Sequence, residues 1–240
     1  MLKKVISIGL FLTLAVTVTG CGFNQTKAAD ETTNSPSANS GAQVNPANSD
    51  AAAGNAPVKM EEVRKEAEKG DTSAQYKLGT MLVNGDNTEK NVDEGLKWLK
   101  QAAEQGDPKA QNNLGVFYFT GNGVAPNGEE AVKWFQKAAN QGYDKGQYHL
   151  GYAYLNGVGV PQNATEAFKW FQSAAENGNK DAQIALALMY EDGVGTSKSR
   201  EQALAWYQKA AAQGDKGAQQ KVNLLKQAAA QGAGGVTPAK

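Results

Sequence analysis

The chain has 240 residues, with 24 Lys and Arg against 24 Asp and Glu, one His and one Cys. A balanced charge leaves no basic footprint for non-specific binding to nucleic acid. A single cysteine excludes an intramolecular disulfide and a cysteine zinc site, and a single histidine excludes multi-histidine metal centres.

Residues 1–20 begin with Lys3 and Lys4 and continue as an apolar run from Val5 to Val18. Such a run is shorter than the roughly 20 residues needed to span a bilayer, so the segment reads as a signal peptide. It ends in Val18-Thr19-Gly20-Cys21, which resembles the bacterial lipobox and contains the only cysteine. The resemblance implies a lipoprotein acylated at Cys21. Gly22, rather than Asp, follows the cysteine, which by the same resemblance implies the outer membrane. Because one acyl chain binds a membrane only marginally, the two or three chains of a lipoprotein make the anchor effectively permanent. The stretch 21–57 is Asn, Ser, Ala, Thr and Gly with few large aliphatics, and cannot bury enough apolar surface to offset its ordering entropy. It is expected to be a disordered tether with a reach of roughly 30–36 Å.

From there the chain repeats. Trp98, Trp134, Trp170 and Trp206 are 36 residues apart. Around them recur Gly70, Gly106, Gly142, Gly178 and Gly214, then Gln75, Gln111, Gln147, Gln183 and Gln219. Leu78-Gly79, Leu114-Gly115, Leu150-Gly151 and Leu186-Ala187 follow, and each unit closes on an Ala-Ala pair such as Ala138-Ala139. A fixed period of this length marks a stacked-repeat architecture.

Each unit reads as two helices. In helix A, Ala110, Leu114 and Tyr118 share one face at i, i+4 and i+8, after Asp107 as N-cap and Pro108 at the first helical position. Helix B is expected over about Glu129 to Gln141, with Ala131, Trp134, Phe135, Ala138 and Ala139 on one stripe and Gly142 as its left-handed stop. A glycine loop such as Gly157-Val158-Gly159 joins the two. The expected fold is all-α: an α/α solenoid with an N-terminal capping helix at 58–69, repeats at 70–105, 106–141, 142–177 and 178–213, a C-terminal capping helix at 214–231 and a disordered tail at 232–240.

These residues, in this order and spacing, resemble the Sel1-like repeat family, relatives of the tetratricopeptide repeats. Unit one departs at Asn84-Gly85-Asp86-Asn87, where the other units have a double-glycine loop; Asn87 tolerates a left-handed backbone. Unit five has Asn223 and Lys226 where glycine and tyrosine stood, as a polar end cap requires.

Enzyme motifs are missing: no Gly-x-Ser-x-Gly elbow and no Ser-x-x-Lys occurs. Cysteine-rich members of the resembled family bind or slowly hydrolyse β-lactams, but the paired cysteines of those members are absent here. Gly193-Val194-Gly195-Thr196-Ser197-Lys198 lacks the Gly-Lys-Ser/Thr ending of a phosphate loop and recurs as the inter-helix turn, so it reads as a turn. Asp86 to Glu94 lacks calcium-loop spacing. His149 occupies a helix-A position filled by Lys77, Asn113 and Ala185 elsewhere and is expected to be a solvated surface or groove side chain.

The resemblance implies that one stripe of helix A faces a concave surface. Its candidate binding residues are Tyr76, Val116, Phe119, Tyr148, Tyr152, Leu155, Ile184 and Leu188, with Thr80, Val83, Asn112 and Glu191 completing the stripe. Such an aromatic surface suits partner binding, whereas close packing between neighbouring A helices would bury it. Leu150 and Tyr154 are expected on the packed side. The expected function is a membrane-anchored scaffold of the bacterial cell envelope that binds a protein or peptide, with no catalytic residues, cofactor, metal or nucleic acid. Peptidoglycan or glycan binding is the alternative, and an enzyme acting on β-lactams or peptidoglycan is a remoter one.

Overall fold

The structure, a computed structural model, describes residues 60–233. The expected signal peptide, Cys21, the tether and the end of the tail lie outside the described residues. Within them are ten helices and no strand: α1 (Met60–Glu68), α2 (Thr72–Asn84), α3 (Val92–Glu104), α4 (Pro108–Thr120), α5 (Gly128–Asn140), α6 (Asp144–Asn156), α7 (Ala164–Glu176), α8 (Lys180–Asp192), α9 (Arg200–Ala212) and α10 (Lys216–Ala233). Helices α2 to α9 form four A–B hairpins, and α1 and α10 flank them. No described helix is long and apolar enough to cross a membrane.

The caps explain why every internal helix has the same length. Asp71, Asp107 and Asn179 begin A helices by accepting a bond from the backbone N–H three residues on. Asn91, Asn127, Asn163 and Ser199 do the same for B helices. An orphan donor is thereby satisfied at each helix start. A helices end on Gly85, Gly121, Gly157 and Gly193, all left-handed, with φ between 70° and 81°. Unit three departs: Tyr143 stands at the cap position and makes no side-chain capping bond.

The two layers differ in burial. Every residue of α4 from Ala110 to Phe117 is buried, because α4 packs against α3, α5 and the next A helix, α6. A helix covered this way needs no polar face. The B helices keep one apolar stripe, as Ala131, Trp134, Phe135, Ala138 and Ala139 show in α5. Hairpin closure depends on small residues: a methyl group on Gly115 would come within 2.6 Å of the Phe135 ring, and one on Gly151 within 2.9 Å of Phe171.

The periodic tryptophans divide into two classes. Trp134 and Trp206 are buried, each with a lysine ammonium over the ring, Lys137 at 3.8 Å and Lys209 at 3.7 Å from the centroid. Trp98 and Trp170 are half-buried, and Gln101 and Ser173 stand three residues on in place of the lysine. Tyr154, expected on the packed side, is also only half-buried, whereas Leu150 is fully enclosed.

Candidate functional site: the face of the A helices

The frame that holds the A helices in register is a hydrogen-bond ladder. Gln111 Nε2 donates to the Ala103 carbonyl at the end of the preceding B helix, 3.0 Å away, and Gln141 Nε2 donates to Gln111 Oε1 at 2.8 Å. Gln75 with Gln105, Gln147 with Asn177 and Gln183 with Gln213 repeat the arrangement. The first glutamine of each rung was visible in the repeat pattern. The second was missed, although Gln105, Gln141, Asn177 and Gln213 keep the same period. Among the described residues no buried side-chain nitrogen or oxygen lacks a partner, so the frame is fully satisfied.

The glycine loops also join units. A side chain on Gly159 would collide with the Gly128 carbonyl at the start of α5, and one on Gly195 with the Ala164 carbonyl at the start of α7. Residues 193–196 form the turn and bends that join α8 to α9, as the turn reading of residues 193–198 expects. In unit one Asn87 takes the left-handed conformation at φ 55°.

On this frame the expected stripe splits. Val116 is 3% exposed and Tyr148 7%, so both are core and not free binding residues. The physical reason is the closeness of α4 and α6, together with Phe171, whose ring centroid is 5.6 Å from that of Tyr148. Val83 and Asn112 are buried with them. Tyr76, Phe119, Tyr152, Leu155, Ile184 and Leu188 are half-buried and present part of their surface. Phe119 and Tyr152 meet edge to face across two units, with centroids 5.9 Å apart.

His149 is half-buried rather than freely solvated. Its ring stacks on Phe135 at 4.9 Å, lies edge-on to Tyr148, and Nδ1 is 2.7 Å from Asn112 Oδ1. That contact requires the proton on Nδ1, since the amide oxygen only accepts. Burial, reinforced by the Lys145 charge, brings the imidazole pKa down to about 4, so it is neutral. Burial also raises the Tyr76 hydroxyl, with the Asp107 charge adding to it and a bond to Asn113 opposing it. Tyr143 is raised by burial and by Tyr76, Asp144 and Asp107, which places the uncapped start of α6 beside the start of α4.

One stripe residue was missed. Leu224 on α10 lies 36 residues after Leu188 and continues the row Val116, Tyr152, Leu188. It is 61% exposed, the large hydrophobic side chain most open to water among the described residues. The repeat period was the signal, but the polar substitutions in unit five obscured it. At this end Glu191 accepts from the Tyr207 hydroxyl at 2.8 Å and pairs with Lys221 at 3.0 Å. Among the described residues no group of three His, Cys, Asp or Glu is placed to hold a metal ion.

The sequence matches the Sel1 repeat model four times in succession, at residues 72–107, 108–143, 144–179 and 180–215. Each match begins two residues after the unit start chosen above, with the same period. Among solved structures, c5321, a protective antigen of uropathogenic Escherichia coli strains with an SLR fold, is 40% identical at a TM-score of 0.66, covering 68% of this chain and 35% of its own. A Sel1 repeat protein from Oxalobacter formigenes is 32% identical at a TM-score of 0.64, covering 68% of this chain and 65% of its own. The chain thus spans about a third of the first relative and just under two-thirds of the second. No curated protein gives a significant match. With four unbroken repeat matches and the same solenoid in both relatives, the chain belongs to the Sel1 repeat family, whose members generally mediate protein–protein interaction.

Proposed function

We propose that this protein is a lipid-anchored scaffold of the bacterial envelope, which captures a protein or peptide on the A-helix face and carries out no chemistry of its own. The observation that carries the reading is the row of half-buried apolar side chains, from Phe119 through Tyr152, Leu155 and Leu188 to exposed Leu224, on a frame in which every buried side-chain nitrogen and oxygen among the described residues has a partner. A rigid surface of this kind binds without a large ordering cost. Attachment at Cys21 rests on Val18-Thr19-Gly20-Cys21. It predicts that Cys21→Ser abolishes metabolic labelling with palmitate and leaves the precursor unprocessed.

The binding face is tested with a photocrosslinking residue placed at Leu224, at Leu188 or, on the outer layer, at exposed Lys133. In native envelopes one protein species is expected to crosslink from the first two positions and not from the third. Equal yield from Lys133 would withdraw the face. Pelleting with purified cell-wall sacculi would favour peptidoglycan as the ligand instead.

A further inference from the structure

The four hairpins are nearly interchangeable, so a difference confined to one junction stands out. Between units two and three, the rings of His149, Phe119 and Tyr152 fill the A-helix face, His149 stacked on Phe135 below and Phe119 edge-on to Tyr152. One period later the same positions hold Ala185, Leu155 and Leu188. The floor is Phe171, as large as Phe135, and Tyr148, which stands where Asn112 stood one period earlier, covers part of it with ring centroids 5.6 Å apart. What remains is an open pocket of about 40 Å³ over Phe171, walled by Leu155, Leu188, Met189 and Val194 beside Ala185. One water needs roughly 10–15 Å³ by this measure, so the space suits a branched aliphatic group of three or four carbons. At the following junction Glu191 accepts from both the Tyr207 hydroxyl and the Lys221 ammonium on the equivalent surface.

The rim carries a charge. Asp192 lines the mouth, is exposed, and forms no ion pair with any described residue. It is also the last residue of α8, where the helix dipole already points its negative end. An acid there is disfavoured by its own helix, and a cation bound beside it would gain from both.

We propose that this junction is the specificity pocket of the binding face: it takes a Leu-sized aliphatic side chain of the partner, with a Lys or Arg of the same segment on Asp192. This inference rests on the binding face proposed above and names what that face selects.

The probe is 3-methylbutylammonium, a branched alkyl chain ending in a cation, titrated into the full chain with methyl groups labelled for NMR. Saturable shifts are expected at the Met189, Leu188 and Val194 methyls, and 4-methylpentanoate, with a similar alkyl group and a carboxylate, should bind at least fivefold more weakly. Asp192→Asn should remove that preference. Ala185→His and Leu155→Phe, which copy the residues of the preceding junction, should each reduce binding at least tenfold with an unchanged circular dichroism spectrum. No saturable shift in the native chain, or equal binding of cation and anion, overturns the pocket. Undiminished binding in both filled variants does the same. If the crosslinked partner is lost with Tyr152→Ala and retained with Ala185→His, the pocket fails and the face stands. If the probe binds and no partner crosslinks, the pocket stands as a ligand site and the scaffold reading fails.

Discussion

At the scale of single residues, His149 shows how neighbouring rings decide a side chain's chemistry. Its pKa of about 4 lies below the ordinary value of 6.5, so the unfolded chain takes up the proton first as pH falls. Its contribution is fully present above pH 6.5 and is lost as the pH drops toward 4, at about 1.4 kcal/mol per pH unit, or on the order of 3 kcal/mol in all. Urea melts from pH 7 to 4 should show that loss in the native chain and not in His149→Asn, whose amide still donates to Asn112. An equal slope in both would mean the imidazole is solvated. The tryptophans make a second case. Trp134→Ala should cost about 3–5 kcal/mol, and Trp170→Ala measurably less because part of its ring already meets water. The sequence contained this distinction in Lys137 against Ser173, but a ring-covering lysine resembles any surface lysine until the helix stands behind it.

At the scale of elements, most of the helix boundaries were legible because they depend on local chemistry. Asp107-Pro108 starts a helix and a left-handed glycine ends one whatever the tertiary structure. Tyr143 could not be read this way, since its packing beside Tyr76 replaces a capping bond with burial. Nor could the burial of Val116 and Tyr148, because the separation of α4 and α6 depends on side chains from three helices. The glycines give a graded test of the junctions. Gly142 at φ 78° has nothing within 4 Å of a new methyl group, so Gly142→Ala should cost only the left-handed strain of about 1–2 kcal/mol. Gly159→Ala carries the same strain at φ 70° and also pushes against the α5 backbone, so it should cost at least twice as much. Equal melting temperatures for the two variants would show that the loops do not bear on the neighbouring unit.

At the scale of the whole molecule, each unit touches chiefly the next, so stability is close to a sum of units and junctions. Removing residues 142–177 joins Gln141 directly to Gly178 in the frame that Gly142 occupied. The frame contacts between units then have replacements: Gln183 can donate to Ala139 as Gln147 did, and Gly195 can lie against the Gly128 carbonyl as Gly159 did, while the ring contacts of His149 and Tyr152 with Phe135 and Phe119 are lost. The shortened chain should retain its helical content per residue and melt cooperatively, with roughly a quarter to a third less stability, as one lost unit in four implies. Removing residues 142–160, which deletes α6 and leaves α7, places a B helix where an A helix must pack. Lys169, exposed on α7, would then be turned toward a layer that in α4 is buried without interruption from Ala110 to Phe117. That variant should lose cooperative melting and expose apolar surface to a hydrophobic dye. If circular dichroism and dye binding cannot tell the two deletions apart, the repeat is not the unit of stability and contacts beyond nearest neighbours hold the solenoid together.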